Sequence, residues 1–231
     1  ERGAPQGGVI SPMLSNIYLH DVLDRWFVNE VKPSLKADAF LIRFADDAIL
    51  VFARKEDAER VMSALPQQFG RYGLTIHPEK TRLIRFGKPR KREAGRQEPP
   101  RWEKFSFLGF THYWGRSRKG NWVVMRKTEP SRFTRALKKV AEWCKRNRHR
   151  PLGEQQCALT LKLRGHYAYY GITGNYRRLN SFLWETQRIW WKWLARRTRG
   201  HRLRWEKVCG LLQRYPLPAA RVVHSCYAAK L

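Results

Sequence analysis

The stretch from Arg43 to Phe52, RFADDAILVF, constrains the fold of this chain more than any other. AFLIRFA and AILVFA are each of strand length and rich in β-branched and aromatic residues, and they flank Asp46 and Asp47. The pattern predicts a β-hairpin with the Asp pair at its turn. Asp is an ordinary turn residue because its carboxylate can accept hydrogen bonds from nearby backbone amides. An exposed turn is normally set among polar residues, however, whereas these carboxylates emerge from runs that are apolar on both sides. The expectation is a buried sheet that holds two mutually repelling charges rigidly. Clustered hard oxygen ligands on a stiff support suit Mg²⁺, and a divalent ion removes the repulsion that makes the pair costly.

The charge balance of the rest of the chain sharpens this reading. Among 231 residues, 47 Lys and Arg oppose 19 Asp and Glu, a formal net charge of +28. A hydrophobic fraction of 42% is enough for a sizeable core, so the chain is not a disordered polycation. Such self-repulsion in a globular protein points to a polyanionic partner, nucleic acid first and an acidic membrane second. No apolar run reaches the roughly 18 residues of a spanning helix and no signal peptide opens the sequence, which favours a soluble, intracellular chain without a membrane partner. Cys144, Cys157, Cys209 and Cys226 form no C-x-x-C pair and have no matching His spacing, so reduced structural thiols are expected. The sequence begins at Glu1 without a methionine, and a fragment lacking its N-terminal part is expected.

Periodicity supplies the other elements. Ser11 as N-cap and Pro12 at the first helical position predict a helix over SPMLSNIYLHDVLDRWF, apolar nearly all round, buried, and ended by Lys32-Pro33. Ala58, Val61, Met62, Leu65 and Phe69 predict a second helix, stopped between Gly70 and Gly73. TRLIRFG reads as a strand, KPRKREAGRQEPPR as a mobile basic loop, and FSFLGFTHYW with NWVVMRK as a hairpin across GRSRKG. Beyond Pro130 the composition shifts: residues 131–231 carry 23 Lys and Arg against 4 Glu, while residues 1–130 carry 24 against 15 Asp and Glu. Four helices are predicted there: on Phe133, Leu137, Val140 and Cys144; on Leu159, Leu163, Tyr167 and Tyr170; on Leu179, Phe182, Thr186, Ile189, Trp190 and Trp193; and on Trp205, Val208, Leu212 and Tyr215. A mixed α+β domain followed by a helical one is therefore expected.

Paired carboxylates and a polyanionic partner together narrow the chemistry to two-metal phosphoryl transfer. RFADD matches the [YF]-x-D-D box of reverse transcriptases. RGAPQGGVISPMLSNIYL, GLTIHPEKT, FSFLGF and RGHYAYYGITGNYRRLNSF, in that order, resemble group II intron reverse transcriptases, also called maturases. The resemblance covers essentially the whole chain and implies an α+β fold: part of a right-hand polymerase palm, made of antiparallel hairpins with packed helices over 1–130, then an α-helical thumb or domain X over 131–231.

Carried over residue by residue, the resemblance makes Asp46 the catalytic, metal-binding carboxylate and Asp47 its neighbour, assisting metal or primer-end placement. Pro5, Gln6, Gly7 and Gly8 match a turn beside the nascent base pair. Lys80 matches a lysine near the primer and nucleotide phosphates, and Phe107, Leu108 and Gly109 match the primer grip. Arg164, Arg177, Arg178, Arg188, Lys192, Arg196 and Arg197 become thumb residues facing RNA, read through A-form shape, phosphates and 2′-hydroxyls. The implied cofactor is Mg²⁺ in a two-metal site completed by an Asp outside this chain, so the 231 residues alone are expected to be inactive and to regain synthesis when an upstream segment is supplied. The implied partners are group II intron RNA, an RNA template with a DNA primer, deoxynucleotides and target DNA, at a cytoplasmic, bacterial-type location with nucleoid association left open. No H-N-H nuclease pattern is present. Two other classes stay open: a non-catalytic RNA-binding splicing cofactor that keeps the box as scaffold, and, disfavoured by the ordered motifs, a basic DNA-binding module.

Overall fold

A computed structural model describes residues 10–89, 103–197 and 205–225, the side chains of 205–209 excepted. The described chain is α+β, with two small antiparallel sheets and a set of helices, in two compact units, Glu1–Arg85 and Phe86–Leu231.

In the first unit one helical run opens with α1 (Ser11–Leu19), widens into π-helical turns over His20–Arg25 and Phe27–Val31, and closes with the short α2 (Lys32–Ser34). Ile10, already in helical conformation, takes the N-cap position that the sequence assigns to Ser11. The π-helical turns continue through Lys32-Pro33 into α2, and the run breaks only at the extended Leu35. Burial departs from expectation as well. No residue of α1 is buried, and Met13, Leu14, Ile17 and Tyr18 are exposed. The apolar contribution to the core comes from the following turns, through Val22, Leu23, Trp26, Phe27 and Val31.

Strands β1 (Ala39–Phe44) and β2 (Asp47–Phe52) pair antiparallel from Ala39–Phe52 to Phe44–Asp47, forming the hairpin that the sequence predicts. Ala39, Leu41, Leu50 and Phe52 face a core shared with Leu23, Trp26, Phe27, Val31, Val61 and Leu65. The alternate residues Phe40, Ile42, Phe44 and Val51 are exposed, so the sheet is buried on one face and not on both. Its inner face packs on the helical run and on α3 (Lys55–Arg71). That helix ends in a Schellman pair, Leu74 N–H to the Phe69 carbonyl and Gly73 N–H to the Gly70 carbonyl, with Gly73 at φ +69°, a conformation only glycine adopts freely. TRLIRFG forms no strand: among the described residues β1 and β2 pair only with each other, and an extended segment with no described ladder partner has nothing to hold it in a sheet.

In the second unit FSFLGFTHYW divides into two strands where one is predicted. Leu108 and Gly109 both have positive φ, +50° and +75°, which makes a two-residue type I′ connection between β3 (Phe105–Phe107) and β4 (Phe110–Arg116). β5 (Trp122–Thr128) completes the order β3-β4-β5 across a turn closed by Ser117 and Asn121. Helices α4 (Pro130–Asn147), α5 (Leu152–Tyr170), α6 (Tyr176–Ala195) and α7 (Trp205–Arg214) follow. Val140, Cys144, Leu159, Leu163, Tyr167, Leu179, Phe182, Trp190 and Leu194 form their core. Two buried polar links pin the layers. The Trp190 indole donates to Gln155 Oε1 at 2.9 Å, and Asn175 bonds to both the backbone and the side chain of Thr128. The basic segment KPRKREAGRQEPPR lies mostly outside the described residues.

Candidate active site and nucleic-acid interface

The β1–β2 turn consists of Ala45 and Asp46, and Asp47 is the first residue of β2, paired with Phe44. The carboxylates are adjacent in sequence but differ in setting, one on the turn and one on the strand. Ala45 has φ +52°. A non-glycine residue in that region costs about 1–2 kcal/mol, and such outliers collect at functional sites. Both aspartates are exposed, and neither side chain has a hydrogen-bond or ion-pair partner among the described residues.

What holds the strained turn is Arg43. Its Nε and Nη2 donate to the two carboxylate oxygens of Asp24 at 2.8 and 2.7 Å, and its Nη1 donates to Asn16 Oδ1 at 2.9 Å and to the Ala45 carbonyl at 3.0 Å. One guanidinium fork thus ties the helical run to the residue immediately before Asp46. The Arg43 hydrogen bonds hold the Asp24 carboxyl below its ordinary range, against the opposing effect of partial burial, and Asp24 in turn holds Arg43 above its own. Sequence reasoning missed Arg43, Asp24 and Asn16 as site residues. The one available signal was an arginine in an otherwise apolar strand.

Two unpartnered carboxylates on a braced turn are chemically suited to a hard divalent cation, and Asp46 and Asp47 are the residues that would hold it. No group of three or more His, Cys, Asp or Glu side chains that could hold a metal ion lies among the described residues.

The other predicted residues belong to different elements of the two units. Pro5, Gln6, Gly7 and Gly8 lie outside the described residues. Lys80 is exposed at the end of a turn in which its N–H bonds to the His77 carbonyl. Phe107, Leu108 and Gly109 belong to the second unit, where the β3–β4 turn is docked on the C-terminal end of α5. Tyr169 Oη donates to the Leu108 carbonyl at 3.0 Å, its ring stacks on Phe110 at 5.9 Å, and a Cβ on Gly109 would stand 3.1 Å from Tyr170 Oη. Glycine is therefore needed at Gly109 for both conformation and clearance.

On α6 the basic residues separate by role. Arg177, Arg188 and Lys192 are exposed and recur at helical spacing on the side away from Leu179, Phe182, Thr186, Trp190 and Leu194. Arg188 also pairs with Glu185 at 3.3 Å. Arg178 is half-buried over the Phe133 ring, Arg196 lies over Trp193, and Arg197 donates to the carbonyls of His149 and Arg150. Arg164 is exposed on α5. No helix among the described residues is long and apolar enough to cross a membrane.

An antiparallel hairpin with adjacent carboxylates at its tip, followed by a helical region, fits part of a polymerase palm with helices after it. Residues 1–112, a little under half of the chain, match the family described as reverse transcriptase (RNA-dependent DNA polymerase). The match supports RNA-directed DNA polymerase chemistry in general, in a family that generally uses Mg²⁺ with an RNA template and nucleotide substrates. No curated protein sequence matches the chain.

Proposed function

We propose that this chain belongs to a group II intron reverse transcriptase and maturase, with palm residues including the Asp pair over 1–130 and an RNA-gripping thumb over 131–231. The observation that carries the reading is the braced, strained Ala45–Asp46 turn, which presents two unpartnered carboxylates within the segment that matches reverse transcriptases. A charged, exposed turn that bonded its own backbone would need no strand guanidinium anchored to a helix.

In this reading Asp46 and Asp47 supply oxygen ligands on the palm side of the reacting phosphate. A bound Mg²⁺ would lower the charge barrier to attack by the primer 3′-hydroxyl and stabilise the leaving oxygen. Arg43 orients the turn. Lys80 offers its ammonium to primer or nucleotide phosphates, Phe107, Leu108 and Gly109 seat the primer end, and Pro5, Gln6, Gly7 and Gly8 let backbone approach the nascent pair. The exposed cations of α5 and α6 contact template-primer and intron RNA, with target DNA as a further substrate.

The test is Asp46→Asn in the protein that carries these residues. Amide for carboxylate keeps shape and removes one charge, so RNA-templated primer extension with Mg²⁺ and deoxynucleotides should fall by several orders of magnitude, with RNA affinity and melting temperature close to wild type. Extension by the variant at the wild-type rate would remove Asp46 from the chemistry.

A further inference from the structure

Trp184 stands apart from the other tryptophans whose side chains are described. Trp26 and Trp190 are buried and Trp114, Trp122, Trp143, Trp191 and Trp193 half-buried, whereas Trp184 is 52% exposed. Its place on α6 is equally distinctive. Arg177, Trp184, Arg188 and Lys192 fall at intervals of seven, four and four residues, which on an α-helix confines them to an arc of about 80° along roughly 22 Å of axis. The opposite side of the helix is the buried stripe of Leu179, Phe182, Thr186, Trp190 and Leu194. The Arg188 guanidinium carbon lies 4.6 Å from the Trp184 ring centroid, and Glu185, the one acidic residue of α6, is paired to Arg188.

Burial accounts for none of this. An exposed indole loses favourable transfer free energy, and no described residue of its own unit covers its outer half. A guanidinium on the ring restricts its rotamers, which reduces the ordering cost when a flat ligand arrives. Cations before and after the ring along one line match a polyanion whose flat groups alternate with its charges.

We infer that Trp184 is a stacking platform for an unpaired nucleobase, set within a phosphate-contacting line formed by Arg177, Arg188 and Lys192. The inference rests on the nucleic-acid reading proposed above and assigns that surface a strand preference: single-stranded or looped RNA, because a base must be out of its helix to offer a face. A phospholipid surface fits less well. A helix lying in a membrane presents its apolar stripe, and the apolar stripe of α6 is consumed by the core.

The experiment compares binding of a hairpin RNA with an unpaired loop and of a fully paired duplex of equal length by the 231-residue chain and its variants Trp184→Ala and Trp184→Phe, over a salt titration. Trp184→Ala should lose about tenfold or more on the looped RNA, stay within about twofold on the duplex, and keep its salt slope, because no phosphate contact is removed. Trp184→Phe should recover most of the loss. Melting temperatures should agree among the three, the side chain being exposed. Wild-type affinity of Trp184→Ala for the looped RNA, or an equal loss on both RNAs, overturns the stacking role while leaving the phosphate line in place. Failure of the wild-type chain to bind either RNA overturns the nucleic-acid reading and this inference with it, and so does binding to anionic phospholipid vesicles that Trp184→Ala alone abolishes.

Discussion

Arg43 and Asp24, nineteen positions apart, meet in a two-pronged ion pair with N–O distances of 2.8 and 2.7 Å. The side chains are 14% and 23% exposed, so solvent screens the pair only in part. Because the same guanidinium also bonds Asn16 and the Ala45 carbonyl, its effect reaches the turn that carries Asp46. Arg43→Lys keeps the charge but cannot make these contacts at once. It should cost about 1.5–3 kcal/mol in urea denaturation, the range for hydrogen bonds to charged groups, and should deprotect the amides of Ala45, Asp46 and Asp47 in hydrogen exchange. Unchanged exchange at those amides would separate the brace from the turn.

Acid should act on the same pair in a definite direction. The Asp24 carboxyl is depressed in the folded chain, so its contribution to stability is complete above the ordinary carboxylate value of about 4 and is lost as pH falls through the lower folded value. Asp24→Asn should therefore be less stable than wild type at pH 7, with the difference shrinking in strong acid. Denaturation midpoints at pH 7 and below pH 3 measure the contrast.

His166 has an acid response in another pH window. It stacks on Phe182 with centroids 3.8 Å apart, its Nε2 is buried without a hydrogen-bond partner, and burial pushes its pKa down to about 4. The unfolded chain takes up a proton near pH 6.5 that the folded chain refuses until about pH 4, so stability falls as pH drops through that interval. His166→Phe keeps the stack and removes the titration. Its melting temperature should decline less than that of wild type between pH 7 and pH 5. Parallel declines would assign the acid sensitivity elsewhere.

Asn175 closes a buried knot between β5 and the start of α6. Its Oδ1 accepts the Thr128 N–H at 2.9 Å, and its Nδ2 donates to Thr128 Oγ1 and to the Tyr170 carbonyl, each at 2.8 Å. Asn175→Ala strands those groups in a dry site and should destabilise the chain by roughly 2–4 kcal/mol, with Asn175→Asp recovering little because it can offer no amide donor. Equilibrium urea denaturation decides.

The hairpin around Asp46, α3 and the helices after Pro130 were legible because their apolar residues repeat at 2 or 3.6, and the core takes up those stripes. Pattern alone could not show whether a partner layer exists. Apolar residues around α1 read as buried, yet Met13 and Ile17 are exposed, and the second face of β1 is open for the same reason. TRLIRFG has strand composition but no partner strand among the described residues. The division at Leu108-Gly109 depends on a positive φ at leucine, which composition does not announce. Of the site, the carboxylates were visible as an anomaly in an apolar run. Their brace was not, since a contact between residues as distant as Arg43 and Asp24 leaves no local trace.

The basic residues of α6 should divide into two groups under mutation. Arg177, Arg188 and Lys192 project from one exposed side, whereas Arg197 donates from Nη1 and Nη2 to the carbonyls of Arg150 and His149 after α4. Each neutralised phosphate adds roughly 0.7 to 0.9 to the slope of log affinity against log salt, so replacing the three exposed cations by Gln should flatten the slope for RNA by roughly 2 to 3 if each meets a phosphate. The melting temperature should hardly move, since exposed cations in a chain of net charge +28 repel their neighbours more than they bind them. Arg197→Gln should do the reverse, leaving the slope nearly intact and lowering the melting temperature by a few degrees as two carbonyls lose their donor. A salt titration of RNA affinity and a thermal melt on both variants give four readings. A slope unchanged in the triple variant would place the phosphate contacts on another face of the molecule.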